Sequence, residues 1–322
     1  MGETCGLKGL GGLKILVAGA GALGCLYAGL LASQGHHLYL LGRKPLVEAV
    51  EKNGLKIRGL ISLDVKVEAA VENPAQLKEE AFNLILLTVK AYQAAEAASS
   101  LTSLPAGKIP LVCLQNGLGV EEEVKKAVGN RFTVLRGVSF MGAYVEKPGL
   151  VRCTGLSSTL LEEPPPEALP PLTEMLGSLK AYGLEADFKP QIREVVWEKT
   201  LVNAGINPFG AITGLKNGQL LEVPQLREAI AETVEEGWKV ASKLGIAFSR
   251  NPVKLTFKVA EATAENYNSM LQDLKAGRRT EIDYINGAIA RFGEETGVAT
   301  PLNRLLTSLI KGLEAERKLV EI

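Results

Sequence analysis

Short apolar runs bounded by turn residues fill the first third of the chain: LKILVAG from residue 13, HHLYLLGR from 36, FNLILLTVKA from 82 and IPLVCLQNG from 109. Between them lie segments with helical spacing, the first being ALGCLYAGLLASQG at 22–35. This alternation predicts a mainly parallel, doubly wound sheet wrapped by helices. From about residue 131 to 161 the texture changes to strand-like pieces, FTVLRGVSFMGAYVE, LVRCTG and LSSTLLEE, separated by turn signals such as Lys147-Pro148-Gly149. These predict an antiparallel extension of the sheet. The proline-rich EEPPPEALPPL (162–172) reads as a surface loop, followed by a short helix in TEMLGSLKAYG and a last strand near LEADF.

Strand signals vanish after about residue 188, and helical periodicity takes over. It runs through QIREVVWEKTLVNAGI, PQLREAIAETVEEGWKVASKLG, PVKLTFKVAEATAENYNSMLQDLKAG, EIDYINGAIARFGEETG and PLNRLLTSLIKGLEAERKLV. Leu220, Ile230, Val234, Val240 and Leu244 mark the apolar stripe. The expected organisation is an α/β domain over 1–187 and an all-helical domain over 188–322. No internal repeat is evident.

With 322 residues and 46% hydrophobic composition, each domain can bury a core. Lys plus Arg (36) balance Asp plus Glu (36), so no net field recommends nucleic acid or an anionic membrane, and a small molecule is the expected partner. The cysteines at 5, 25, 113 and 153 form no CxxC pair, which argues against zinc or a redox couple; no metal is expected, and a reduced compartment suits them. No apolar run reaches the roughly 18–20 residues of a membrane span. The glycine-rich start, MGETCGLKGLGG, lacks the apolar core of a signal peptide, so a cytoplasmic protein is expected.

After the first strand comes Gly19-Ala20-Gly21-Ala22-Leu23-Gly24, a GxGxxG that opens a helix. Glycines there permit a tight turn and close approach of backbone amides to a pyrophosphate, and the helix dipole favours its charge. Position and context together imply dinucleotide binding rather than a plain packing turn. The second strand ends in Gly42-Arg43-Lys44, where a protein that binds NAD places an acidic residue on the ribose. An arginine there can pair with a 2′-phosphate, so NADP is expected, although both cations also suit a solvated loop. Lys90-Ala-Tyr-Gln93 and Asn116-Gly-Leu-Gly119 follow two later strands, at the sheet edge where such folds bind ligands.

Hydride delivery to a carbonyl leaves charge on oxygen, so a nicotinamide reductase needs an acid or a fixed cation there. The two histidines, His36 and His37, are expected as exposed turn residues. Attention passes to WEKTLVNAGINP (197–208), where Lys199, Asn203 and Asn207 are spaced by four, each turned only about 40° from the last on a helix. Burial would lower the lysine pKa and make it a better acid, and neutral amides could hold a substrate without locking it in a salt bridge. A lysine that snorkels to solvent and an asparagine that ends a helix before Pro208 account for the same pattern; spacing alone leaves both readings open. Asn266, Ser269 and Asp273, spaced by three and four, would share a helix face. Glu281 falls early in another predicted helix, as a ligand-orienting or proton-relaying carboxylate or as a first-turn acid complementing the dipole.

Taken together, GAGALG (19–24), TVKAYQ (88–93), QNGLG (115–119), WEKTLVNAGINP (197–208), NGQL (217–220) and ATAENYNSMLQDLKAGRRTEIDYING (262–287) resemble the ketopantoate reductase family. The resemblance covers essentially the whole chain after the first dozen residues. It implies a Rossmann-type domain with a helical domain like the C-terminal one of 6-phosphogluconate dehydrogenase, and NADPH-dependent reduction of ketopantoate to D-pantoate in pantothenate synthesis. By the same resemblance Lys199 is the general acid and Glu281 assists catalysis. Asn116, Asn203, Asn207, Asn217 and Ser269 meet the substrate, with Asn266 and Asp273 as neighbours. Gly19–Gly24, Arg43, Lys90, Gln93 and Asn116 serve NADPH or NADP+. A homodimer is compatible with the sequence. Two alternatives are a related NADP-dependent reductase of another 2-oxo or 3-hydroxy acid and a non-catalytic NADP(H) sensor; a substrate panel and the presence of turnover separate them.

Overall fold

A computed structural model describes residues 12–105 and 107–320, so the glycine-rich start with Cys5 lies outside the described residues. The chain forms two compact units: Met1–Val89 with Gln93–Gln115 and Glu121–Pro190, and Lys90–Tyr92 with Asn116–Val120 and Gln191–Ile322. Two short pieces of the strand-rich half therefore cluster with the helices.

The first unit opens β1 (Lys14–Ala18), α1 (Ala22–Ala32), β2 (His37–Leu41) and α2 (Lys44–Asn53). Three short strands follow, β3 (Leu55–Gly59), β4 (Leu63–Val65) and β5 (Ala69–Val71), then β6 (Leu84–Leu87), α3 (Ala94–Ser100) and β7 (Pro110–Cys113). The remainder is α4 (Val120–Val128), β8 (Thr133–Ser139), β9 (Gly142–Lys147), β10 (Leu150–Gly155), β11 (Thr159–Glu162), α5 (Leu169–Lys180) and β12 (Ala186–Lys189).

The main sheet has the order β12-β11-β8-β7-β6-β1-β2-β5. Neighbouring strands pair parallel except β8 with β11, so β11 and its parallel partner β12 run opposite to the other six. The expected antiparallel extension thus joins through β11, while β9 and β10 leave to build a second sheet, β4-β3-β10-β9. That second sheet explains the apolar wrap of α1. Gly24 to Leu31 are buried without interruption, because the helix packs on strands of both sheets. At Gly29 an added Cβ would lie 2.6 Å from Ile57 Cγ1 on β3.

Helix α5 begins inside the proline-rich segment that the sequence assigns to a loop. Pro170 and Pro171 occupy its first turn, where amides have no intrahelical acceptor and a proline costs nothing.

His36 corrects another expectation. It is only 8% exposed; its Nδ1 accepts from the Leu13 amide (3.1 Å) and its Nε2 meets Ser178 Oγ (2.7 Å), pinning the entry to β1. Burial, with His37 adding to it, lowers its pKa below the ordinary 6.5. As pH falls below about 6.5 the unfolded chain binds a proton that folded His36 takes up only at lower pH, so stability should drop through that window. The expected result is a Tm that declines less between pH 7 and pH 5 in His36→Asn than in the parent. Equal declines would free His36 from this role.

The second unit is helical: α6 (Ile192–Thr213), α7 (Gln219–Glu222), α8 (Pro224–Lys243), α9 (Pro252–Ala262), α10 (Ser269–Lys275), α11 (Asn286–Thr296) and α12 (Pro301–Val320). Helix α6 packs against α8, α9, α10 and α12. Glycines let it come close: a Cβ at Gly205 would meet Val234 at 2.7 Å, and one at Gly237 would meet Leu201 at 2.5 Å. Val202, Ile206, Phe209, Leu220, Ile230 and Leu306 form an apolar cluster at these contacts. Glu236 of α8 caps α12 by accepting from the Leu302 and Asn303 amides (3.0 Å each).

The long helix expected over 252–277 is two helices. Asn268 stops its continuity by capping α10, its side chain accepting from the Leu271 amide. Among the described residues, no helix is long and apolar enough to cross a membrane. Cys25, Cys113 and Cys153 are free and buried, and burial pushes the thiols of Cys25 and Cys113 up to about 12.

Candidate functional site

In the first unit the glycine-rich turn sits where the strand order reverses, since β1 has β2 on one side and β6 on the other. Gly19 has φ +107°, and a Cβ on it would lie 2.4 Å from the Val89 nitrogen. A Cβ on Gly24 would lie 2.5 Å from both the Gly19 carbonyl and Thr88 Oγ1. Gly21 differs: the nearest atom to its added Cβ is Gly19 O, at 4.0 Å. Two glycines thus serve the turn and its packing, and the third leaves open space at the start of α1. The Gly19 and Ala20 amides donate to Leu41 O, and Thr88 Oγ1 donates to Gly19 O (2.7 Å). Thr88 was not singled out from the sequence, although a hydroxyl at the end of an apolar strand was its signal. Ala22 and Leu23 begin α1. Arg43 is exposed and stands at the N-terminus of α2, directly after β2 and Gly42; Lys44 pairs with Glu48 one turn on. Gln93 leads into α3 in this same unit.

The second unit gathers a buried charge cluster. Lys90 Nζ lies 2.5 Å from Asp273 Oδ2 and 3.8 Å from Glu281 Oε2. Glu281 is 6% exposed; it accepts from the Ala91 amide (3.0 Å) and from Asn116 Nδ2 (3.0 Å). Tyr92 completes the seam, its hydroxyl donating to Arg279 O while the Arg279 guanidinium covers its ring at 4.6 Å. Three consecutive residues, 90 to 92, are therefore each tied to the 273–281 stretch. Asp273 accepts in addition from Arg278 Nε (2.9 Å). Burial alone would lower the Lys90 pKa, but the Glu281 and Asp273 carboxylates outweigh it and hold the amine above its usual value, hence charged.

The loop that presents Asn116 is fitted to the same stretch. Leu118 N donates to Tyr284 O (2.8 Å), and Gly117 has φ +90° with its missing Cβ only 2.3 Å from that oxygen. Glu281 itself precedes a single 3-10 turn, Ile282–Tyr284, instead of lying early in a longer helix as expected. The dipole account of this acid loses its basis: its oxygens are taken by Ala91 and Asn116.

Helix α6 bears Lys199, Asn203 and Asn207 in one column, as the spacing requires, and continues through Pro208 to Thr213. The expectation that the asparagine before the proline ends the helix does not hold. Lys199 and Asn203 are half-buried and Asn207 is buried. Rotation of the helix is fixed nearby, with Trp197 against Phe292 and Glu198 accepting from Arg250 Nη2 (2.7 Å) and Nε (3.0 Å). Beyond Asn207 by one turn, Gly210 touches the start of α10; its added Cβ would be 2.2 Å from Asn268 Nδ2. This contact brings Ser269, the first residue of α10, toward the Asn207 end of the column.

Ser269 and Asp273 share a face of α10, as expected, but Asn266 does not join them. Asn266 lies exposed in the α9–α10 connection, outside either helix, because the chain turns at Thr263 and α10 starts only after its Asn268 cap. Asn217 binds that connection, its backbone amide donating to Asn266 O and its Nδ2 to Thr263 Oγ1 (2.9 Å), while its buried Oδ1 has no hydrogen-bond partner among the described residues.

The family pattern described as ketopantoate reductase PanE/ApbA matches residues 15–166, and its C-terminal companion matches 191–314. A 2-dehydropantoate 2-reductase of Pyrococcus abyssi is 38% identical over 303 residues, covering 94% of this chain and 98% of the relative. Among solved structures, a PanE/ApbA family ketopantoate reductase from Ralstonia eutropha superposes with TM-score 0.87 at 28% identity, over 95% of this chain and 100% of the other. A D-mandelate dehydrogenase solved with NADH and anilino(oxo)acetate gives TM-score 0.84 at 29% identity, over 95% and 99% of the two chains. Matched over both halves, the chain belongs to the ketopantoate reductase PanE/ApbA family.

Proposed function

We propose that this protein is a 2-dehydropantoate 2-reductase, reducing ketopantoate to D-pantoate with NADPH. The observation that carries the reading is near-full-length similarity to a reductase of that name, in a chain with Lys199 and Glu281 on a connected helical scaffold. The residues present suit the cofactor: open space at Gly21, the positive end of α1 and the tight Gly19 and Gly24 contacts are what a bound pyrophosphate needs. Gly19 to Gly24, with Arg43, Lys90, Gln93 and Asn116, are the residues proposed to hold it. When bound, NADPH supplies a hydride to a carbonyl carbon.

The rest is work for the chain's own side chains. Lys199 is proposed to give its proton to the C2 oxygen as charge develops there. Asn203, Asn207, Asn217, Asn266 and Ser269 would hold the carboxylate and hydroxyl ends, and a fixed pose contributes by removing orientational freedom before the reaction. Glu281 would orient Asn116 and the substrate hydroxyl. The setting we infer is the cytoplasm, in pantothenate and coenzyme A biosynthesis; buried, unpaired cysteines suit a reducing compartment.

Oxidation of NADPH and of NADH with ketopantoate, measured side by side, tests the reading, and no turnover with either would sink it. The likeness to D-mandelate dehydrogenase favours one second reading, a reductase of another 2-oxo acid, which faster turnover of an aryl 2-oxo acid would support. Arg43→Ala should weaken NADPH binding at least about tenfold while barely changing NADH, because only NADPH carries the 2′-phosphate. Equal weakening of both would argue against that contact.

A further inference from the structure

Helix α6 carries a proline in its interior one residue after Asn207. The amide of residue 208 would otherwise donate to the Ala204 carbonyl; proline has no N–H, and its ring crowds that oxygen. Ala204 is 0% exposed, so its carbonyl is shut off from bulk water. The missing donor comes from α11, where Asn286 Nδ2 donates to Ala204 O at 3.2 Å.

The orientation of that amide is dictated by its neighbours. The same Nδ2 donates to Asn303 Oδ1 (3.0 Å), and Asn303 spends its own amide on Thr233 O (3.0 Å) and on Glu236 Oε2 (2.8 Å). A flipped Asn286 would set an oxygen against two acceptors. Asn286 and Asn303 are both 0% exposed, and Glu236 is fixed by capping α12. Asn286 also stands five residues after Glu281, across one 3-10 turn. A single short segment thus bears both the Glu281 carboxylate and the amide that completes α6.

We propose that Asn286 is a positioning residue: by replacing the donor that Pro208 lacks, it sets the spacing between the Asn203 and Asn207 turns of α6 and locks that column to the Glu281 segment. It meets no substrate itself. The functional half of this proposal rests on α6 being the substrate-binding helix.

The test compares Asn286→Ala, Pro208→Ala and the double variant in the full chain, by amide hydrogen exchange over residues 204–213 and by steady-state kinetics. In Asn286→Ala, exchange there should quicken and kcat/KM for ketopantoate should fall, each by at least about tenfold, with KM for NADPH within about twofold of the parent. In the double variant the Pro208→Ala change returns an N–H to the Ala204 carbonyl, so both quantities should recover to within about threefold of the parent. A double variant as impaired as Asn286→Ala, or an Asn286→Ala indistinguishable from the parent, overturns the proposal. Should Asn286→Ala fail to fold, a folded, active double variant supports it and an unfolded one overturns it. If the parent does not reduce ketopantoate, the functional reading fails, while exchange rescued by Pro208→Ala would still establish the repair of α6.

Discussion

Replacing Lys199 by alanine should lower ketopantoate turnover by about 10²- to 10⁴-fold, the range typical of losing a positioned general acid. NADPH affinity should stay within about twofold, because the turn proposed to hold the cofactor is built from Gly19, Gly21, Gly24 and Thr88 on other elements. The size of the effect follows from what else is at hand. Of the two histidines, His36 is buried by its bonds to Leu13 and Ser178, and His37 pairs with Glu68, so neither offers a proton to a substrate. Lys90 is already committed to Asp273 and Glu281. Stopped-flow single turnovers separate chemistry from product release. Turnover in Lys199→Ala within about threefold of the parent would remove the lysine from the acid role.

Glu281→Gln should have the second-largest effect, on stability as well as rate. The carboxylate accepts from Ala91 N and Asn116 Nδ2 and faces Lys90. A glutamine of the same shape keeps at most one acceptor oxygen and turns an NH₂ toward a donor or toward the Lys90 ammonium. Breaking a buried, charge-assisted hydrogen bond in this way costs about 2 kcal/mol, readable as a lower denaturant midpoint. Turnover should fall by about 10²-fold, since Asn116 loses the partner that orients it. Asp273→Asn provides the contrast. It removes the shorter of the two Lys90 pairs and leaves Glu281 with Ala91 and Asn116, so stability should drop comparably and turnover far less. Equal kinetic losses in the two variants would mean that the cluster matters for folding alone.

Much of this is legible in the chain because it depends on local chemistry. The switch from short apolar runs to helical spacing near residue 188 marks the change from sheet to helices, and the column at 199, 203 and 207 follows from helix periodicity alone. The glycines at 19, 21 and 24 announce a tight turn before a helix, and each then meets different surroundings. Errors arise where a local rule meets a remote partner. Pro208 reads as a stop, and the side chain of Asn286, far along the chain on α11, lets the helix pass. The His36–His37 pair reads as an exposed turn, and the amide of Leu13 and the hydroxyl of Ser178 bury one of the two. Asn266, Ser269 and Asp273 have helical spacing, yet the Asn268 cap cuts Asn266 off from the other two.

By itself the sequence determined the class of fold, the succession from a strand-rich to a helical half, the glycine turn and which residue types could carry a proton or hold a carboxylate, because these follow from period, propensity and side-chain chemistry within a few residues. Only the tertiary structure decided that residues 90–92 and 116–120 cluster with the helices, that Glu281 is held by a backbone amide and an asparagine amide, and that Lys90 is held charged between two carboxylates. The Glu281 bonds to Ala91 and Asn116 alone require groups 190 and 165 positions apart to meet at 3.0 Å. Contacts of that range are set by how the core packs, and neither spacing nor composition along the chain encodes it locally.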